Sequence, residues 1–230
     1  MTRHYVLLDA CVAAAYFAPT TTHSANLKSR AATLLKGSAL GNDVHFLIPN
    51  FCIAEVFAVF EKYRWGKTWN KHVKIALTPR EFAEARRAFG DAIHNGSSIL
   101  QIELDRYHIF CVDLISPINN AYKIKRDRVK KKSVIPAKAY DMLLVAMGIW
   151  LQHQYGPDSF TIVTGDERLA AVVARAKSAK LGHTIKRHLV EAATTIGLVY
   201  SSSLYPTVIN LTQASKMELA SRFPGWIPSW

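Results

Sequence analysis

The chain has 230 residues, half of them hydrophobic and one fifth charged, with 11 Gly and 9 Pro, which excludes collagen-like, low-complexity and broadly disordered chains. Its 29 Lys and Arg against 17 Asp and Glu leave a net charge of +12, and that points to a polyanionic partner, nucleic acid before an acidic membrane surface. The three cysteines, Cys11, Cys52 and Cys111, are widely spaced and form no CxxC pair. A thiolate zinc site is therefore not expected, and a reducing, cytoplasmic setting fits.

In chain order the elements alternate. His4–Leu8 reads as an apolar strand, followed by a helix through Phe17. Arg3 and the apolar stretch to Ala18 imitate a signal peptide. Asp9 inside that stretch costs about 2.5–3.5 kcal/mol on insertion scales, so the segment is read as folded structure. Leu27, Ala31, Leu34 and Leu35 have helical spacing within Ser24–Lys36. His45–Ile48 is a short strand, and Pro49-Asn50 opens a helix to about Arg64, with Asn50 as N-cap.

Thr78-Pro79-Arg80-Glu81 forms a capping box with Pro at the first helical position. Leu100, Ile102 and Leu104 alternate with polar residues as in a strand, and a helix follows over roughly Arg106–Tyr122. The basic run Lys123–Lys132 interrupts the apolar pattern. Beyond Pro136 comes an almost wholly apolar helix, Ala137–Gln154, then a strand, Phe160–Thr164, and a helix, Glu167–Lys180. Thr195–Tyr200 and Thr207–Leu211 read as late strands. No apolar run approaches the ~20 residues of a membrane span. Alternating strands and helices predict an α/β fold with a parallel sheet covered on both faces.

Four acids stand in apolar company. Asp9 ends the first strand, and Asp166 follows Phe160–Thr164 directly before a helix. In open α/β sheets the carboxyl ends of the strands border the ligand crevice. Glu55 and Asp141 fall in the first two turns of their helices, and such helix N-termini lie above the same rim. Each acid alone has a plainer reading: a helix N-cap for Asp166, a favourable dipole position for Asp141, a solvated edge or a distant Arg for Glu55. Together, four carboxylates repel unless they bind a hard cation. Oxygen ligands suit Mg2+ or Mn2+, which keep several waters and meet substrate phosphates. An acidic notch in a basic chain points to phosphodiester hydrolysis.

Four stretches, YVLLDACVAAAYF, IPNFCIAEVFAVFEKY, AYDMLLVAMGIWL and TIVTGDERL, are similar to the PIN-domain family of metal-dependent nucleases, which includes the VapC-type toxins. They occur in family order, and with the intervening helices they span about residues 4–200. The resemblance implies a three-layer α/β/α sandwich with a central parallel sheet. It implies catalytic and metal-binding roles for Asp9, Glu55, Asp141 and Asp166, with Mg2+ or Mn2+ as cofactor, and it matches Thr164 to a supporting threonine of the family's T-x-D. It also implies an endoribonuclease acting on single-stranded or loop RNA. A toxin of this kind would have an antitoxin-like protein partner, and a homodimer is a further expectation. At position 11 the family usually carries Ser, Thr or Asn, where this chain has Cys.

Lys123, Lys125, Arg126, Arg128, Lys130, Lys131 and Lys132, offset only by Asp127, are expected to grip phosphates beside the pocket. A solvated loop or a surface for an acidic protein is the plainer alternative. Trp65 and Trp69, interleaved with Lys62, Arg64, Lys67 and Lys71, are read as core residues ahead of base-stacking ones. One PIN-like domain is expected over residues 1–211, with a basic insertion at 123–135, then a C-terminal helix and Trp-bearing tail at 212–230. The competing reading keeps fold and basic surface without catalysis, as a weak or inactive PIN-like RNA-binding protein. A phosphotransfer hydrolase with Asp9 as nucleophile is disfavoured, because such enzymes want a second Asp where Cys11 stands.

Overall fold

The structure, a computed structural model, describes residues 3–19, 25–37, 44–66, 76–96, 98–130, 137–156, 159–178 and 181–223, with the backbone alone over 124–130. Among the described residues there are five strands: β1 (His4–Leu8), β2 (Val44–Pro49), β3 (Leu100–Ile102), β4 (Phe160–Thr164) and β5 (Thr207–Asn210). They form a parallel sheet in the order β3-β2-β1-β4-β5, the middle layer of an α/β/α sandwich. Val6 stands opposite Phe46 in the parallel β1–β2 pair, and Leu47 opposite Leu100 in the β2–β3 pair. Val6, Leu7, Leu8, Ile162 and Val163 are fully buried, which is why these strands read as unbroken apolar runs. The order turns back at β1, so the topological switch point lies between β1 and β4. Among the described residues, no helix is long and apolar enough to cross a membrane.

The chain divides into two compact units. The first comprises Met1–Glu103, Val163–Gly165 and Asn210–Trp230. Its helices are α1 (Ala10–Phe17), α2 (Ala25–Gly37), α3 (Asn50–Trp65), α4 (Pro79–His94) and, near the end of the chain, a seven-residue helix, Lys216–Arg222. Helix α1 packs on α2, α3 and α4. Phe89 is the hub of its aromatic core, meeting Phe17, Phe57 and Phe60 edge to face. The capping box at Thr78 is present in both directions: Thr78 Oγ1 accepts from Glu81 N–H, and a Glu81 oxygen accepts from Thr78 N–H. The cap of α3 differs from the expected one. Pro49 is the N-cap and Asn50 the first helical residue, because strand β2 runs straight into the helix and leaves no position for a side-chain cap.

The second unit comprises Leu104–Ile162 and Asp166–Ile209. The helix expected over Arg106–Tyr122 is broken in three: α5 (Arg106–Phe110), a 3-10 turn (Cys111–Leu114) and α6 (Ser116–Lys130). Pro117 explains the break, since it is tolerated only in the first turn of a new helix. The backbone of α6 continues through the basic run as far as Lys130, so Lys123–Lys130 extend a helix rather than interrupt one; Lys and Arg are good helix formers. Helix α7 (Ala139–Tyr155) carries Gly148, where a Cβ would sit 2.8 Å from Ile162 Cδ1 and 3.0 Å from Pro206. The missing side chain lets α7 lie close to β4. Helix α8 (Glu167–Lys177) stops at Ser178. A further helix, α9 (His183–Thr195), fills the region before the expected strand Thr195–Tyr200, which is not a strand. Gly197, with φ of +74°, turns the chain out of α9 there.

Buried His108 carries a pH response. Its Nδ1 accepts from Asp105 N–H at 3.0 Å, so the neutral ring keeps its proton on Nε2. Burial pulls its pKa below the usual His value, against the opposing pull of the Asp105 carboxylate. The unfolded chain therefore binds a proton first as pH falls. This contribution to stability is complete above the unfolded value of about 6.5 and is lost as pH drops toward the lower folded value. His108→Asn, whose Oδ1 can accept the same N–H, is expected to flatten the dependence of the melting temperature on pH between neutrality and mild acid. An unchanged pH slope in melting experiments would contradict this assignment.

Candidate metal centre

Asp9 sits where β1 ends and α1 begins, and it is the N-cap of α1. Its N–H donates to Val163 O at 3.0 Å, which fixes it against the end of β4. Asp9 as a whole is 8 % exposed. Thr164, fully buried at the end of β4, donates its hydroxyl to Asp9 Oδ2 at 2.5 Å. Cys11 donates its thiol to the same oxygen at 3.0 Å, and its N–H lies 3.4 Å from Oδ1. The Gly165 N–H in turn donates to Cys11 Sγ at 3.1 Å. A Cβ at Gly165 would stand 3.3 Å from that sulfur and 3.0 Å from Leu27, so glycine is what lets the β4 end close over Cys11.

Burial, followed by the charge and hydrogen bond of Asp9, pushes the Cys11 thiol well above its ordinary value. Cys11 is thus a neutral S–H donor to Asp9. Every hydrogen-bond donor to the Asp9 carboxylate is neutral, and among the described residues no Lys, Arg or His pairs with it. A buried carboxylate without a counter-charge is costly.

Glu55 lies half-buried on α3 in the first unit, one turn from buried Cys52. Cys52 is a core residue. In the second unit, Asp141 occupies the first turn of α7 and accepts Lys138 N–H at 2.7 Å. Buried Asn119 on α6 positions that turn: its Nδ2 donates to Ala137 O at 3.1 Å, and its Oδ1 accepts Ala137 N–H at 3.2 Å.

Asp166 is the N-cap of α8 and accepts Arg168 N–H at 2.7 Å. The Arg168 side chain also grips its carboxylate. Burial works against the charge of Asp166, but the Arg168 guanidinium and the N–H groups of Arg168 and Leu169 outweigh it and hold the carboxyl below the usual Asp range. Asp141 adds to the field that keeps Arg168 charged, after its bonds to Asp166. The structure therefore joins Asp9 with Thr164, and Asp166 with Arg168.

The donor chemistry fits a hard cation. It consists of carboxylate oxygens, with no imidazole or thiolate, and includes one buried carboxylate oriented by neutral donors. Among the described residues, no group of three or more His, Cys, Asp and Glu side chains is gathered as for a bound metal. A pocket of about 310 Å3 is lined by Ile53, Phe57, Gly90, Ile93, His94 and Gln101 and includes none of the four acids.

Two contributors carry no clear signal in the sequence, the Arg168 fork and the Cys11 donor. Arg168 is marked only by its place two residues after a capping Asp. The histidines near strands are packing residues: His4 is buried against Phe223, and His45 stacks on Tyr5. Trp65, expected in the core, is 57 % exposed with the Arg64 guanidinium 6.0 Å from its ring; the last turn of α3 buries Tyr63 instead. Trp69, Lys67, Lys71, Trp226 and Trp230 lie outside the described residues, as do Lys131, Lys132 and the side chains of Lys125, Arg126, Arg128 and Lys130. No family model matches the chain, and no curated protein does.

Proposed function

We propose that the chain is a metal-dependent endoribonuclease of the PIN-like type, with Asp9, Glu55, Asp141 and Asp166 as its carboxylates. The observation that carries this reading is Asp9, a buried carboxylate at the switch point, held by Thr164 and Cys11 and without a cationic partner among the described residues. The three-layer fold is consistent with the PIN-like topology, and the net charge of +12 suits a polyanionic substrate.

Asp9, Glu55, Asp141 and Asp166 would hold Mg2+ or Mn2+. When bound, such an ion supplies an activated water and stabilises charge on the phosphate oxygens. Thr164 and the Cys11 thiol both bond Asp9 Oδ2, and Oδ1 has only the long 3.4 Å contact from Cys11 N–H. Asn119 fixes the start of α7 and with it the height of Asp141. The basic run from Lys123 to Lys132 would hold the RNA backbone.

A second reading, an RNA-binding protein without catalysis, is favoured by the Arg168 grip on Asp166. One experiment separates the two: incubation of the full chain with single-stranded RNA in Mg2+ or Mn2+, and again in EDTA. Cleavage that needs the divalent ion, stops on chelation and returns on its readdition is the expected result. Binding without cleavage in either ion would support the second reading. Cleavage undiminished by EDTA would contradict the metal-dependent one.

A further inference from the structure

The Arg168 side chain engages the whole Asp166 carboxylate. Its Nε lies 3.0 Å from Oδ1 and 3.1 Å from Oδ2, and its Nη2 lies 2.5 Å from Oδ2. One internal cation thus occupies a carboxylate that the proposed function assigns to a divalent ion. A guanidinium and a divalent ion compete for the same oxygen lone pairs. The Arg168 side chain is 38 % exposed, so it is not locked in place by packing. Its planar fork matches a phosphate as well as it matches a carboxylate.

We propose that Arg168 is an exchangeable counter-ion. In the metal-free chain it neutralises Asp166. When that carboxylate turns to a divalent ion, the guanidinium moves to a phosphate oxygen of the RNA. This rests on the metal-dependent nuclease reading and adds to it a substrate-binding residue and an internal competitor for the metal.

The test uses the full chain as wild type, Arg168→Gln and Arg168→Lys. Mn2+ affinity is measured calorimetrically on metal-free protein without RNA, and cleavage of a labelled single-stranded RNA is then followed at saturating Mn2+. With its competing charge removed, Arg168→Gln is expected to bind Mn2+ about three- to tenfold more tightly, a range discounted for its partial exposure. The same variant is expected to cleave more slowly by roughly tenfold, the cost of one charged phosphate contact. Arg168→Lys keeps the charge without the fork and falls between, and it carries the test if the Gln variant does not fold. A merely structural role would not strengthen metal binding while weakening cleavage. Unchanged or weaker Mn2+ affinity in Arg168→Gln would overturn the proposal, as would tighter Mn2+ binding with undiminished cleavage. A wild-type chain that takes up no Mn2+ would instead remove the metal-dependent reading and this inference with it.

Discussion

Replacing Asp9 with Asn is expected to lower metal-dependent RNA cleavage by about a thousandfold or more, some 4 kcal/mol of lost transition-state stabilisation, while the chain stays folded. The fold survives because the amide oxygen, placed as Oδ2, can still accept from the Thr164 hydroxyl and the Cys11 thiol. The bond given up is the long one, 3.4 Å from Cys11 N–H to Oδ1, and the loss of a cap costs about 1 kcal/mol. The larger loss is the negative charge, and it is the charge that would hold a divalent ion. Steady-state cleavage rates, with melting curves in EDTA as the check on folding, decide the matter. A variant that cleaves within tenfold of wild type would remove Asp9 from the chemistry.

Phe89→Ala should be among the most destabilising single changes, at about 3–5 kcal/mol. Phe89 is fully buried on α4, with ring centroids 5.3 Å from Phe17, 5.2 Å from Phe57 and 6.0 Å from Phe60. Three edge-to-face partners would lose their contact at once, and α1, α3 and α4 offer no loop that could collapse into the gap. For a chain of this size the melting temperature should fall by about 10 °C. Urea unfolding of the two proteins measures the difference. A loss below about 1 kcal/mol would mean that the aromatic cluster repacks freely.

Much of the fold is legible in the residues themselves. HYVLL and FTIVT announce buried parallel strands because helices cover both their faces, and each is followed by an acid that caps the next helix. Thr78 and Glu81 mark a helix start without reference to anything distant. The break at Ile115 to Pro117 is less visible, because the apolar periodicity of Arg106–Tyr122 survives the change from one helix to the next. Helix α9 hides behind a β-branched stretch, Thr194 to Val199. Its amphipathic spacing, Leu189 and Ala193 inward and Lys186 and Arg187 outward, is the signal that outweighs local strand preference.

In the site, sequence position places Asp9 and Asp166 at strand ends, since strand ends are local features. The Thr164 donation to Asp9 is not legible, because it joins residues 155 apart and depends on β1 and β4 being neighbours; the Cys11 donation spans two residues but leaves no periodic trace. The Arg168 fork is equally silent: a side chain bonding two residues back along a helix start leaves no periodic trace.

Titration of metal-free full-length chain with Mn2+, read by electron paramagnetic resonance and repeated with Asp9→Asn, examines the carboxylate centre without reference to any RNA. Saturable uptake by the wild type that is lost or strongly weakened in Asp9→Asn is the expected result. No saturable uptake by the wild type, or uptake equal in the two proteins, would contradict a divalent-ion centre built on Asp9.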